Sequence, residues 1–354
     1  MSIVGLARPG IRALHAYEAG EQVDGTVRLN ANESPDSLAA GRFRRPLNRY
    51  PEVRPQKVAR LLASRFGCDP NELLVTRGSS EGIDLVIRSF CEPRRDSLVL
   101  SEPSFVMYRH FATVQDACII EVPAAAERDF AIDADALLAA CDATTKLVFV
   151  CSPNNPTGTL LPRADLERLL RALTGRCAVV VDEAYVEFGG APSVVELLPR
   201  YENLVVLRTL SKALGFAGAR CGAVIAHPPV IELLAAVQAP YALATPVVEC
   251  VEDALEADAA AGTSSLVAAI VDERRRMEGA LMRFGFIRKL WPSHANFLLV
   301  QVDDARRLVD DCRERGVLIR YFGGQLPECV RISIGSPEEN DRLLEILDAL
   351  ENRC

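Results

Sequence analysis

Lysine is the scarce residue in this 354-residue chain: Lys57, Lys146, Lys212 and Lys289 stand alone among 40 basic residues, all the others being arginine. Chemistry that needs a side-chain amine therefore has four candidates. Histidine is as rare, with His15, His110, His227 and His294 spread so widely that no local metal-ligand spacing exists. The 11 cysteines contain no CxxC and no pair closer than Cys141 and Cys151. Such an odd, dispersed set reads as free, mostly buried thiols in a reducing compartment. No 18 apolar residues run uninterrupted, and Arg8, Pro9 and Arg12 break up the N-terminal apolar residues. Neither a membrane span nor a secretory leader is expected, and the expected location is the cytoplasm. Positive charge is also short, with 40 Lys and Arg against 48 Asp and Glu, so no global field exists to gather phosphate backbones, and nucleic acid is not an expected partner. The arginines at 42, 44, 45 and 49 lack interleaved aromatics and read as a solvated face near an interface. The phosphate-loop pattern GxxxxGK[ST] and the dinucleotide pattern GxGxxG are both absent.

What is present is an ordinary globular composition, 49% hydrophobic and 25% charged, at a length that suggests two domains. Residues 73–76, 97–101, 147–151, 178–182 and 204–208 are apolar runs of strand length. Between them lie amphipathic stretches such as 83–90 and 164–173, the latter carrying Leu166, Leu169, Leu170 and Leu173 on one stripe. Near-continuous apolar strands alternating with helices predict a mostly parallel sheet covered on both faces, an α/β fold. Beyond about residue 245 the pattern predicts a long helix over 247–285, a strand at 296–300, a helix at 303–315, strands at 317–320 and 330–334, and a last helix at 337–351. The expected division is an N-terminal arm over 1–30, a large domain over 31–245 and a small α+β domain over 246–354.

Ligands of open parallel sheets bind beyond the carboxyl ends of the strands, so each strand is read at that end. After 73–76 comes Arg77-Gly78-Ser79-Ser80, small residues at a helix start, which suit either an anion or simple capping. After 147–151 comes Ser152-Pro153-Asn154-Asn155-Pro156-Thr157-Gly158, also readable as a turn. Asp182 and Tyr185 follow the next strand, and Thr209, Ser211, Lys212 and Arg220 the last. A lysine at the end of a buried strand is costly unless it has a partner or a task. One amine, one carboxylate, a phenol, an amide, hydroxyls and a guanidinium on one rim form the set that pyridoxal phosphate requires.

CSPNNPTG, VVDEAY and TLSKALGFAGARCG, in that order and spacing, resemble the fold-type I pyridoxal-phosphate aminotransferases of the aspartate aminotransferase superfamily. RLNANESP, NRYP, RGSSEGIDLVIRSFCEP and RISIG extend the likeness over nearly the whole chain, toward the histidinol-phosphate branch. The resemblance implies a large domain with a mostly parallel sheet plus a smaller α+β domain, and pyridoxal 5′-phosphate as cofactor. It implies Lys212 as the lysine that carries the cofactor and shuttles the proton, Asp182 against the pyridine nitrogen, and Asn155 and Tyr185 at the ring hydroxyl. Ser79, Ser80, Ser211, Arg220 and Thr209 are implied around the phosphate, with Phe105 stacked on the ring where relatives more often have tyrosine. Tyr50 corresponds to a residue reaching the phosphate across a homodimer with shared active sites. Arg331 corresponds to the arginine for the substrate carboxylate, and Tyr17, Asn32 and Arg320 to positions receiving the substrate's phosphate end. The implied substrates are histidinol phosphate and glutamate or 2-oxoglutarate, in histidine biosynthesis. An aromatic amino-acid aminotransferase and a threonine-phosphate decarboxylase-like lyase share every cofactor residue and stay open here.

Overall fold

The computed structural model describes residues 2–17, 22, 28–38, 41–261 and 264–352. Its larger sheet has seven strands: β1 (Leu73–Thr76), β2 (Ser97–Glu102), β3 (Cys118–Pro123), β4 (Thr145–Cys151), β5 (Ala178–Asp182), β6 (Leu204–Thr209) and β7 (Gly222–Ala226). They lie in the order β1-β7-β6-β5-β4-β2-β3, and β7 alone runs antiparallel to its neighbours. The period-2 geometry of a strand sends alternate side chains to opposite faces. Val148, Val150, Val179, Val181, Leu204 and Val206 enter one core. Leu147, Phe149, Ala178, Val180, Val205 and Leu207 enter the other. Both faces are therefore dry, as the unbroken apolar runs require. The first core is closed by helices Gln56–Phe66, Arg163–Ala172 and Thr245–Ala261, and the expected stripe of Leu166, Leu169, Leu170 and Leu173 is buried there. The second is closed by helices Ser79–Phe90, Met107–Val114 and Pro228–Val237.

A second sheet, wholly antiparallel, is formed by β8 (Ile287–Leu290), β9 (Phe297–Val302), β10 (Arg320–Gly323) and β11 (Leu326–Ser333) in the order β10-β11-β9-β8. Helices Ser264–Leu281, Ala305–Glu314 and Pro337–Glu351 share its core. The expected 247–285 helix is instead two, Thr245–Ala261 and Ser264–Leu281. The strand expected at 317–320 starts at its last residue, Arg320, and the one expected at 330–334 starts earlier, at Leu326, because these two strands register on each other across the turn between them. Three strands escape the pattern altogether. β3 is an edge strand with partly exposed side chains, β7 is rich in Gly and Ala, and β8 has only four residues with Arg288 and Lys289 side by side at its centre.

The front of the expected arm lies against the chain itself. Ile3 and Ala7 are buried in the second core, and the Arg8 N–H donates to the Ser89 carbonyl at 2.9 Å. Among the described residues no helix is long and apolar enough to cross a membrane, and the ten described cysteines are all free. The arginine cluster is not merely solvated. Arg44 pairs with Asp253, Arg45 with Glu252 and Arg49 with Glu33, so the charge of these three is met within the chain.

Parallel strands all end on one side, so Cys151, Asp182 and Thr209 mark a common rim. Helix Ser79–Phe90 reaches that rim by lying unusually close to the sheet. A Cβ on Gly82 would meet Val224 Cγ2 at 2.7 Å and Leu207 Cδ2 at 3.0 Å. Gly82→Ala is expected to destabilise the protein by about 1–3 kcal/mol through overpacking. A urea midpoint equal to that of the unaltered protein would show that the contact yields freely.

Candidate active site

A cleft of about 610 Å³ opens at that rim, between the strand ends of the larger sheet and the β10–β11 hairpin. It is lined by Ser79, Ser80, Phe105, Asn155, Asp182, Tyr185, Thr209, Ser211, Lys212, Arg220, Arg320 and Arg331, twelve of the residues picked out from the sequence. Residues up to 252 positions apart, Ser79 and Arg331, meet there because successive strands deliver their ends side by side and the hairpin lies over them.

Asp182 ends β5 and is 2% exposed. Its Oδ2 accepts from the Tyr108 hydroxyl at 2.8 Å and its Oδ1 from the Ala184 N–H at 3.0 Å. Burial pushes the carboxyl up to about 6, against the pull of those two donors and of Lys212. Lys212 follows β6 with its Nζ 5.6 Å from the Tyr185 ring centre. Burial first, then the positive Arg331 and Arg220, hold its ammonium below the ordinary lysine range, with Asp182 opposing. That mixture favours an amine able to take up a proton.

An anion cradle sits beside them. Helix Ser79–Phe90 starts at Gly78 with no side-chain cap, and its N-terminal N–H groups carry the positive end of the helix dipole. Gly78 has φ +74°, and a Cβ there would fall 2.6 Å from the Arg220 guanidinium. The positive φ favours glycine, and a side chain there would displace the Arg220 guanidinium. Arg220 donates to Ser211 Oγ at 3.2 Å, and Thr209 Oγ1 donates to the same oxygen at 2.9 Å. Hydroxyls, a guanidinium and a helix start thus converge on one spot.

At the opposite wall, Asn155 donates through Nδ2 to the Tyr185 hydroxyl at 3.2 Å and accepts from Arg331 through Oδ1. Arg331 on β11 is the register partner of Arg320 on β10, which puts both side chains on one face of the hairpin. Arg331 Nε is buried without a partner. Its guanidinium lies 5.6 Å from the Phe322 ring centre, with Arg320 at 5.8 Å from the same ring. Two adjacent guanidiniums with an unused donor form a site for a bidentate anion.

Three residues picked from the sequence do not line the cleft. Tyr50 stacks on Tyr241 at 4.7 Å, Tyr17 meets the same ring edge-on at 6.1 Å, and Asn32 occupies the left-handed region with φ 53°. Sequence reasoning in turn passed over Tyr108, although it lies one helical turn after Phe105 in the same PSFVMY segment. It also passed over Phe322, Cys151, and the Ser104–Asn154 bond of 2.9 Å that braces the wall. An aromatic spacing of three offered a signal for Tyr108; nothing local marked the others.

The sequence matches the family described as aminotransferase class I and II over residues 24–347. It is 44% identical to a histidinol-phosphate aminotransferase of Xanthomonas campestris pv. campestris, covering 98% of this chain and 97% of the relative. The chain belongs to the class I and II aminotransferase family. A Xylella fastidiosa protein with the same name as the Xanthomonas one is 42% identical over 98% of this chain and 96% of its own. Among solved structures, histidinol-phosphate aminotransferase from Sinorhizobium meliloti in complex with pyridoxal 5′-phosphate superposes with TM-score 0.78 at 25% identity, covering 88% of this chain and 85% of that one. A Porphyromonas gingivalis L-threonine-O-3-phosphate decarboxylase shares the fold, with TM-score 0.73 at 24% identity over 86% of this chain and 91% of its own.

The aminotransferase fold expected from the resemblance is the one observed, and the cleft fits pyridoxal phosphate. The glycine-lined cradle suits a phosphate, Asp182 is a buried carboxylate whose one cationic influence is Lys212, and Lys212 offers a depressed amine within the same cavity. Without a ligand, that carboxylate weighs on the fold. An unfolded aspartate titrates near 3.9, whereas Asp182 does so at about 6. Native cofactor-free protein therefore binds a proton between roughly pH 4 and 6 that the unfolded chain does not, and its stability falls as pH rises through that window by on the order of 3 kcal/mol. Asp182→Asn should abolish most of this decline. Urea unfolding of the two apoproteins at several pH values tests it, and parallel pH slopes would refute it.

Proposed function

We propose that this aminotransferase exchanges the amino group between L-histidinol phosphate and 2-oxoglutarate, giving imidazole-acetol phosphate and L-glutamate in histidine biosynthesis. The observation that carries this reading is the cross-strand pair Arg320 and Arg331, facing the cleft with an unused buried donor. Transamination alternates two partners in one cleft, here a dicarboxylate and a phosphorylated amino alcohol that has no carboxylate. A guanidinium receives either anion with the same forked geometry. The names of the relatives at 42–44% identity point the same way.

Bound pyridoxal phosphate supplies an electron sink for the carbon that gains or loses its amino group. In our reading Ser79, Ser80, Thr209, Ser211 and Arg220 hold its phosphate, Phe105 flanks the ring, and Asn155 and Tyr185 meet the ring hydroxyl. Asp182 holds the proton on the ring nitrogen. Lys212 anchors the cofactor and, once freed, carries a proton at the reacting carbon, general acid–base work that contributes roughly 10²–10⁴-fold. The small sheet brings Arg320 and Arg331 over the strand ends of the 31–245 unit; of the small unit expected over 246–354, helix Thr245–Ala261 packs in the core of the larger sheet instead, so the part with its own core starts at helix Ser264–Leu281.

With pyridoxal phosphate, histidinol phosphate and 2-oxoglutarate, the protein should produce glutamate, with a higher kcat/KM than for phenylalanine or tyrosine. Arg331→Ala should slow both half-reactions by about tenfold to a hundredfold, as expected for a lost charge-assisted hydrogen bond of about 1.5–3 kcal/mol. Preference for an aromatic amino acid, or carbon dioxide released from threonine phosphate, would hand the reading to its rivals.

A homodimer with shared active sites, in the cytoplasm, belongs to the same proposal. Tyr17 and Tyr50 are about half exposed, and Leu14, Leu29, Leu38, Phe43 and Leu47 also present apolar surface within residues 14–50. Apolar surface gathered in one stretch suits burial against a second copy. Tyr50→Ala and Lys212→Ala should each be inactive alone, yet mixing them should restore part of the activity, because one hybrid site then holds both native residues. A fully active monomer in sedimentation would contradict it.

A further inference from the structure

Asp182 is a carboxylate sealed in the protein with no cation bonded to it, and its two oxygens are shared out between two neutral donors. The Ala184 N–H comes with the backbone turn after β5. The Tyr108 hydroxyl comes from another element, helix Met107–Val114, whose position relative to β5 is set by core packing. We propose that Tyr108 is a positioning residue for Asp182: its hydroxyl, donated to one carboxylate oxygen, keeps that group ionised and turned into the cleft. This rests on the reading of Asp182 as the partner of the cofactor's ring nitrogen.

Tyr108 cannot easily do anything else. It is 1% exposed, its ring stacks on Phe149 at 5.0 Å and meets Phe105 edge-on at 5.7 Å, and so the hydroxyl has one direction in which to point. The phenol itself stays neutral, because burial and the Asp182 charge push its ionisation well above the usual tyrosine range. The other groups facing Asp182 do not replace it. Cys151, its register partner on β4, donates its thiol to the Pro153 carbonyl and is kept neutral by burial, while Lys212 acts on Asp182 through space. A neutral donor also suits the task better than a cation. An arginine bonded to Asp182 would already compensate its charge, whereas a phenol holds the carboxylate in place and leaves its negative charge for the ring nitrogen. Since Asp182 titrates at about 6, close to neutrality, the loss of one such bond decides which form predominates at pH 7.

The test is Tyr108→Phe, which keeps the ring and its packing. In cofactor-free protein carrying ¹³C-labelled aspartate, the Asp182 carboxyl signal should titrate about one to two pH units higher than in the parent. In the loaded enzyme at pH 7, kcat should fall roughly tenfold or more with KM for both substrates little changed, and raising the pH should recover part of it. In an Asp182→Asn background the same substitution should have no further effect on kcat. An unmoved Asp182 titration, or an equal loss of kcat in the Asp182→Asn background, overturns the proposal. If Asp182→Asn alone leaves turnover intact, the role given to Asp182 fails, while the titration still reports separately on the Tyr108 bond. Should Tyr108→Phe not fold, a ¹³C label on the tyrosine ζ carbon of the parent reads the same bond: the Tyr108 signal should follow the Asp182 titration, and a signal indifferent to it rejects the proposal.

Discussion

A negative charge held in a dry place, with no cation bonded to it, sets the terms for the rest of this structure. Asp182 stands at the end of the central strand β5, which is flanked by β4 and β6 and covered by helices on both faces. Removing a carboxylate from water costs several kcal/mol unless hydrogen bonds and charge offset it. The chain meets part of that cost with two neutral donors and leaves the remainder outstanding, as the carboxyl's upward shift records. A core optimised for stability alone would not keep such a group. A ligand bearing a proton on a ring nitrogen would offset that remainder.

The cations around the cleft are under strain of the complementary kind. Lys212 is held below its ordinary range by burial and by Arg331 and Arg220, and Arg331 is itself lowered by burial and by Arg320. Like charges crowded on one rim repel each other until anions arrive between them. Their arrangement gathers donors at two places: Gly78, Ser211 and Arg220 at the helix start, and Arg320 and Arg331 on the hairpin across the cavity. Asn155 touches Tyr185 on one side and Arg331 on the other, and so couples the strand-end wall to the hairpin.

Much of this was legible beforehand because a buried parallel strand writes itself as an unbroken apolar run and its chemistry follows at the carboxyl end. β1, β2, β4, β5 and β6 and the residues beyond them could be read that way. β3, β7 and β8 could not, since an edge position, a Gly- and Ala-rich run and a central pair of adjacent charges carry no such signature. The hairpin strands were misplaced because their limits come from pairing with each other and not from their own composition. Tyr108 was overlooked for a related reason: a tyrosine among apolar neighbours reads as core, and its task depends on which strand end lies opposite.

The amino-acid sequence by itself determined the α/β class, the order of the chemical groups and the four possible lysines, because these depend on local periodicity and residue type. It also carried the family likeness in motifs short enough to be read locally. Only the tertiary structure decided which groups meet. It brought Asp182 to Tyr108 across 74 positions and Arg331 to Asn155 across 176, and it set Tyr17 and Tyr50 apart on Tyr241. The physical reason is that strand order, helix packing and cross-strand register are settled by the joint burial of segments distant in the chain. No single segment encodes its eventual neighbour.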